Sequence, residues 1–332
     1  MQTSTLTGSI PAPARRIEAI DAARGIALLA MVSYHFTWDL EFFGYVTRGL
    51  TAFGGWKIYA RSIASSFLFL VGVSLMLAHG NGIRWNGFGK RLAMIVAAAL
   101  AITVATWFAT PGSFIFFGIL HHIALASVLG LAFLRFPVWA LVLAAVLVAA
   151  APQFLRLPAF DHPSLWWLGL STINPRSNDY VPLFPWFAAV LAGMAAAKFA
   201  KASGLLARLG GHLPQAAARP LVLIGQHSLA FYLIHQPVLI ACVWLFAQVW
   251  PAPAQSPQAA FVPACEASCR EVREQAFCTA YCACMLDALD KDGALDKVLR
   301  GEQTAELSSR VSGLASTCTV ETDMSLMGRE EE

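Results

Sequence analysis

One apolar segment near the N-terminus carries four ionisable residues whose spacing suits chemistry inside a membrane. Asp21, Arg24, His35 and Asp39 lie in or beside residues 20–38. On a helix, Arg24 and His35 share one face about 16 Å apart, and Asp39 lies about one turn beyond His35. Ionisable groups in apolar segments are costly, so each is a candidate functional residue. A neutral histidine can take up a proton near pH 7, and Asp39 would orient His35 and stabilise its cation.

Both central residues also have a structural explanation. Arg24 can extend its guanidinium to the lipid headgroups, and His35 can bond a carbonyl of a neighbouring helix. The shared face favours a functional pair over two separate structural residues.

Two further groups of polar residues lie within the fourth apolar segment and at the start of the sixth. His121 and His122 are adjacent, so on a helix they point about 100° apart and at most one faces a given cavity. The alternative for them is a hydrogen bond between helices. Asp179 is placed to bind a hydroxyl or amine of a substrate, or to form a helix N-cap with Pro182 in the first turn.

The last apolar segment contains a polar stripe as well. Ser228, Tyr232 and His235 follow the i, i+4, i+7 spacing of one helix face, and Pro237 is expected to kink the helix. These side chains are candidates for lining a cavity, and the alternative is polar contact between helices.

Composition identifies the elements that must position these residues. The 332 residues are 57% hydrophobic and 13% charged, against roughly 45–50% and about 25% for soluble domains. This excludes a disordered chain, a small disulfide-rich protein and a nucleic-acid binder. Seven segments are long and apolar enough to span a bilayer. We predict an all-α fold, a polytopic membrane helix bundle of about seven transmembrane helices at 20–38, 60–79, 91–109, 114–134, 137–155, 180–199 and 222–249.

Charge divides the chain into a membrane domain, residues 1–250, and an acidic tail, residues 251–332. The first has 16 Lys and Arg against 6 Asp and Glu, and the second has 7 against 14. Placing the N-terminus inside puts eleven of the sixteen basic residues on the inner side. Seven spans then place the tail outside, which in a bacterial inner membrane is the periplasm.

The tail contains six of the seven cysteines, Cys265, Cys269, Cys278, Cys282, Cys284 and Cys318. An even number of thiols suits an oxidising compartment, so we predict disulfides. The tail has no His and no Cys-x-x-Cys pair, so zinc is the less favoured alternative and no metal is expected. Pairs four residues apart are typical of disulfide-bonded helical hairpins. However, residues 270–277 contain no Pro or Gly, so we predict one helix over 265–292, with later breaks at Gly293, Gly301 and Gly313.

Three stretches together resemble one known family. Residues 16–27, 179–186 and 228–237 are similar to bacterial membrane proteins that carry a heparan-alpha-glucosaminide N-acetyltransferase catalytic domain. More distant relatives are the acyltransferase family 3 membrane enzymes, whose signature of an arginine, ten residues and a histidine matches Arg24 and His35. The resemblance covers most of residues 15–245 and not the tail.

The resemblance implies transfer of an acyl group from cytoplasmic acyl-CoA to an acceptor, often a sugar, on the far side of the membrane. His35 would then be the base. Arg24, with Arg84, Lys90 and Arg91 of an inner loop, would bind the phosphates of CoA, although membrane topology explains these loop charges equally well. His121 or His122 and His235 would line the cavity, and Asp179 would contact the acceptor.

One departure limits what can be carried over. The catalytic histidine of the lysosomal enzyme lies in the loop after the first span, and residues 36–78 here contain no histidine. Substrate and detailed mechanism therefore stay open. The alternatives are a proton-coupled transporter using His35, Asp39 and His235, or a non-catalytic scaffold that presents the tail to a partner.

Overall fold

The computed structural model describes residues 17–47, 49–206, 215–253, 256–302 and 304–330. Within them the chain is all-helical, as expected, and short 3-10 turns join some of the helices. The helices that correspond to the predicted membrane segments are α1 Glu18–Phe42, α2 Gly54–His79, α3 Trp85–Ala109, α4 Ile119–Phe133, α5 Val138–Phe154, α6 Leu183–Ala202, α7 Gln215–Gln226 and α8 Ser228–Val249. Those of the tail are α9 Pro257–Cys269, α10 Gln275–Lys291, α11 Leu295–Leu299 and α12 Ala305–Glu330.

Four of these helices, α2, α3, α6 and α8, are long and apolar enough to cross a membrane. The apolar helices α4 and α5 are shorter, with 15 and 17 residues. Helix α1 has 25 residues and carries the ionisable residues of the first predicted span. The segment predicted as one span over 222–249 is divided, because α7 ends at Gln226 and α8 begins at Ser228. The architecture is that of a helical membrane bundle.

The chain forms two compact units. Unit 1 comprises residues 1–28 and 66–229, and unit 2 comprises residues 29–65 and 230–332. These units do not correspond to the predicted membrane domain, residues 1–250, and tail, residues 251–332. That division by charge stays a prediction. The Arg24 turn of α1 belongs to unit 1, and the His35 turn belongs to unit 2.

Unit 1 depends on two close helix crossings in which each helix supplies a glycine. Where α2 meets α6, a Cβ on Gly72 would overlap the carbonyl of Val190, and one on Gly193 would overlap the carbonyl of Phe69. Where α1 meets α7, Gly25 lies against Leu221 and Gly225 against Asp21 in the same way. Small residues let helix backbones approach in a bilayer, where packing contributes more to association than hydrophobic burial. Leu68, Leu191 and Met194 are fully buried in this unit.

The tail forms a helical hairpin, so the single helix predicted over 265–292 is wrong. Helix α9 ends at Cys269, the chain bends through residues 270–274, and α10 begins at Gln275. Disulfides Cys265–Cys282 and Cys269–Cys278 join the two helices. The bend needs no Pro or Gly because the amides of Val272 and Arg273 bond the carbonyl of Cys269.

The predicted disulfides are confirmed, and two of the three predicted helix breaks are present. A third disulfide, Cys284–Cys318, joins α10 to α12. Gly293 and Gly301 end helices with positive φ, the conformation that glycine adopts most readily. Gly313 instead lies inside α12, so the break predicted there is wrong. Packing of neighbouring Leu307 and Cys318 into the tail core outweighs the helix penalty of one glycine, about 1 kcal/mol.

Replacing Gly72 by Ala is expected to lower the stability of the purified protein by about 1–3 kcal/mol, because the new methyl overlaps a backbone carbonyl. Thermal unfolding in detergent measures the effect. Gly89→Ala is the matched control, since Gly89 lies inside α3 with open space around its Cβ position. Equal melting temperatures for the two variants would contradict the close crossing.

Thiol labelling of the denatured protein is expected to modify one cysteine before reduction and seven after it. Cys242 is the free cysteine of the described residues, and the other six form the three disulfides. Mass spectrometry of the alkylated protein counts the added groups. Additional groups before reduction would contradict the pairing.

Candidate active site

In unit 2, the His35 end of α1 faces the start of α8. The rings of His35 and His235 are 5.0 Å apart between centroids and inclined by 61°. One helical turn from His35, the Oδ1 atom of Asp39 accepts a hydrogen bond of 2.7 Å from the Gln236 amide. Tyr232 packs against His235 with 5.6 Å between ring centroids. The structure therefore brings together His35, Asp39, Tyr232 and His235, which the sequence placed on two separate segments.

Hydrogen bonding fixes the tautomer of His235. Its Nδ1 lies 2.7 Å from the carbonyl oxygen of Tyr232. A carbonyl can only accept, so Nδ1 carries the hydrogen and Nε2 of the neutral ring holds a lone pair. His235 is 9% exposed, and within the described residues its Nε2 has no hydrogen-bond partner. A buried acceptor is thus left available for a ligand.

Asp39 and Gln236 leave two more buried acceptors. Asp39 is 0% exposed, and its Oδ2, like the Oε1 of Gln236, has no partner within the described part of the chain. Buried polar atoms are normally hydrogen-bonded, and an unpaired buried carboxylate oxygen is especially costly. Asp39 bonds Gln236, a residue the sequence analysis did not single out, and this is the contact that holds its carboxyl group. A ligand that donates hydrogen bonds would complete this site.

The adjacent histidines of α4, in unit 1, have different environments. The Nδ1 of His121 accepts from the Gly118 amide at 3.2 Å. The Thr103 hydroxyl gives its hydrogen to the Ile115 carbonyl, so the His121 Nε2, 3.1 Å away, donates to that hydroxyl. His121 therefore has both ring nitrogens bonded within the fold.

His122 is bonded at one nitrogen. Its ring is 0% exposed, and its Nδ1 donates to the Val181 carbonyl at 3.2 Å. Among the described residues its Nε2 has no partner. Of the two histidines, His122 is therefore the one with a lone pair left for another group.

Asp179 caps a helix, but not the one predicted. Its Oδ2 accepts from the Ile119 amide at 2.8 Å and so caps α4, whereas α6 begins at Leu183 after Pro182. Gly118 has no room for a Cβ beside this carboxyl group.

Burial raises the pKa of the Asp179 carboxyl to about 6. In the preceding loop, hydrogen bonds from the Thr172 and Ser171 hydroxyls lower the pKa of Asp161.

The basic residues proposed from sequence belong to unit 1. Arg24 forms an ion pair of 2.7 Å with Asp21 and donates to the Ser74 hydroxyl. Arg84 precedes α3, and its backbone amide donates to Nδ1 of His79 at 3.3 Å. Arg91 and His79 line a small cavity of about 20 Å³. Lys90 is exposed.

Three functional candidates were missed by the sequence analysis. His79 and Ser74 lie on α2 among apolar residues, and Gln236 adjoins His235. A polar residue inside an apolar segment was a signal for all three. Only the structure distinguishes those that contact a candidate site.

The described residues thus define a multi-pass helical membrane protein with a site formed by the partly buried His35 and the buried His235 and Asp39. The family model described as heparan-alpha-glucosaminide N-acetyltransferase, catalytic, matches residues 16–237, which is more than half of the chain. The chain belongs to this family, as the sequence resemblance indicated. The matched range contains His35, Asp39, His235 and Gln236 and ends before the cysteine-rich tail. Comparison with curated proteins and with solved structures finds no match.

Substitutions at Asp179 are expected to separate its cap from any role of its charge. Asp179→Asn keeps an oxygen for the Ile119 amide and is expected to unfold near the wild-type temperature. Asp179→Ala removes the acceptor and is expected to cost about 1 kcal/mol, the usual loss for a helix cap. Thermal unfolding compares the two. Equal losses for both variants would mean that the charge, not the cap, is what stabilises the fold.

Proposed function

We propose that this protein is a membrane acyltransferase that moves an acyl group, acetyl in the simplest case, from cytoplasmic acyl-CoA to an extracytoplasmic acceptor. Family membership supports a membrane transferase. The observation that carries the proposal is the surplus of three buried hydrogen-bond acceptors on His235, Asp39 and Gln236. A hydroxyl or amine, as on a sugar, a glycan or another small molecule, supplies the donors that these atoms lack.

The histidine pair supplies the base. The acceptor hydroxyl or amine gives its proton to the His35–His235 pair as its oxygen or nitrogen bonds the acyl carbon. The carbon–sulfur bond of the thioester breaks, and the pair then returns the proton to the CoA thiolate. The pair takes up one proton at a time, because two imidazolium rings 5.0 Å apart would repel each other. Asp39 stabilises the cation through its negative charge.

The donor site is proposed at the basic residues of unit 1. Arg84, Lys90 and Arg91 bind the phosphates of CoA, since a guanidinium group suits bidentate contact with phosphate. Arg24 contributes positive charge, but its ion pair with Asp21 reduces the share available to a ligand. No metal takes part in this proposal.

Of the predicted cavity residues, the geometry supports some more than others. Tyr232 and His235 accompany the acceptor-rich site, and His122 retains a buried lone pair in unit 1. His121 is bonded at both ring nitrogens and Asp179 caps α4, so these two residues stabilise unit 1. Ser228 begins α8, one turn before Tyr232.

The proposed orientation has the N-terminus in the cytoplasm and the tail in the periplasm of a bacterial inner membrane. The excess of basic residues in the predicted inner loops supports it. Disulfides in the tail support an oxidising compartment for residues 256–330.

His35→Ala and His235→Ala are each expected to lower acyl transfer by about 10²–10⁴-fold, the usual contribution of a general base. The assay uses membrane vesicles with radiolabelled acetyl-CoA and counts label in extracted glycans and lipids. His227→Ala is the matched control, since His227 is exposed and its ring bonds the carbonyl of Leu223 near the end of α7.

Near-wild-type transfer by both variants would contradict the site assignment.

Addition of acetyl-CoA is also expected to raise the melting temperature of the solubilised protein, as any ligand of the native state does. Proton flux without label transfer would favour the transporter alternative. Loss of function on tail deletion alone, with both histidine variants active, would favour the scaffold.

A further inference from the structure

The disulfide-bonded tail, residues 256–330, lies in the same compact unit as the His35–His235 pair. Unit 2 joins residues 29–65, which include the second half of α1, to residues 230–332. The family match ends at residue 237, so it assigns nothing to the tail. The tail binds the start of α2, which directly follows the loop after α1. This loop, called the 43–53 loop, is described at residues 43–47 and 49–53, and it connects the tail to the site.

The hairpin bend of the tail binds the start of α2. Glu271, in the bend between Cys269 and Cys278, forms an ion pair of 2.5 Å with Lys57. The Cys269–Cys278 disulfide closes this bend. On α9, the Ala264 methyl lies at van der Waals distance from the Cβ position of Gly49 in the 43–53 loop. The tail therefore binds the start of α2 and lies beside the loop that precedes this helix.

The same loop is fixed to the His35 end of α1. The Glu41 carboxylate accepts from the amide of Gly49 at 2.6 Å and from the amide and hydroxyl of Thr51 at 2.9 and 2.8 Å. The hydroxyl of Tyr34 donates to the Thr51 carbonyl at 3.3 Å. The Tyr34 ring lies edge-on to His35, with 5.7 Å between centroids. Contacts thus run from the loop to the catalytic candidate.

The loop also reaches the far end of α8, the helix that carries His235. The hydroxyl of Tyr45 donates to the Trp250 carbonyl, and its ring packs on Phe246 at 5.7 Å between centroids. Because the loop contacts both α1 and the end of α8, it limits how these helices shift against each other. The contact between the rings of His35 and His235 depends on that spacing.

We propose that the tail is a positioning element for the His35–His235 pair. The Cys269–Cys278 disulfide fixes the bend that holds Lys57 through Glu271, and the tail thereby holds the 43–53 loop against α1 and α8. This inference rests on the proposed function for the role of the pair. Lys57, Glu271, Glu41 and Tyr45 are positioning residues within it, because none of them contacts the reacting atoms.

The first test measures the histidines directly in full-length protein in lipid nanodiscs. Diethyl pyrocarbonate modifies accessible neutral histidines, and peptide mass spectrometry gives separate rates for His35 and His235. The Cys269→Ser/Cys278→Ser variant is expected to change these rates about threefold, a factor typical of losing a few surface contacts. Cys284→Ser/Cys318→Ser is the matched control, since that disulfide lies outside the bend, and its rates are expected to stay at the wild-type value.

A second test reverses the charges of the Lys57–Glu271 ion pair and leaves the disulfide intact. Lys57→Glu is expected to change the modification rates in the same direction, and Lys57→Glu with Glu271→Lys is expected to restore them. In the vesicle assay, the Lys57→Glu variant is expected to lower kcat about tenfold with KM for acetyl-CoA unchanged, because misplaced catalytic groups cost rate and not donor binding. Thermal unfolding confirms that each variant is folded.

Two outcomes would overturn the proposal. One is a set of folded bend variants with wild-type rates of histidine modification, and the other is a charge exchange that restores nothing. The modification rates do not depend on acyl transfer. If no transfer is found, changed rates would still support positioning by the tail, and unchanged rates would exclude it.

Discussion

A bilayer interior offers no water to a buried polar atom, so each such atom must find its partner within the protein or in a ligand. The chain meets this constraint closely in unit 1, where Asp179 caps α4 and both nitrogens of His121 are bonded. It leaves the constraint unmet at Asp39, His235 and Gln236 in unit 2, and at His122 in unit 1. The unmet positions are informative because, in the part of the chain that the structure describes, the other buried side-chain nitrogen and oxygen atoms have partners.

The same constraint explains how much of the molecule could be predicted. Hydropathy located the helices, because a spanning helix must be apolar for about 20 residues whatever its partners are. The pairing of His35 with His235 depends on which helices pack together, and no local pattern encodes that. The hairpin bend was missed for a related reason, since disulfides between α9 and α10 override a sequence that could continue as one helix.

Histidine tautomers show where the residue type stops being informative. His121 and His122 are adjacent and identical in sequence terms, yet one is bonded at both nitrogens and the other at one. The difference comes from Thr103 on α3 and from the Val181 carbonyl in the loop before α6. The spacing predicts that at most one of the two histidines faces a given cavity. Which one keeps a free lone pair depends on these partners, which are distant in sequence.

The surplus of hydrogen-bond acceptors also restricts which substrate can bind at the site of His235, Asp39 and Gln236. A site lined by a carboxylate oxygen, an amide oxygen and an imidazole lone pair repels a phosphate and attracts a hydroxyl or an amine. In the proposed function, the CoA phosphates therefore bind a different, basic set of residues. Arg84, Lys90 and Arg91, proposed for that role, are in unit 1, whereas the acceptor-rich site is in unit 2. A chain that must bind an anionic donor and a neutral or cationic acceptor gains selectivity when the two sets of charges are kept on separate residues, because neither ligand then competes for the other's site.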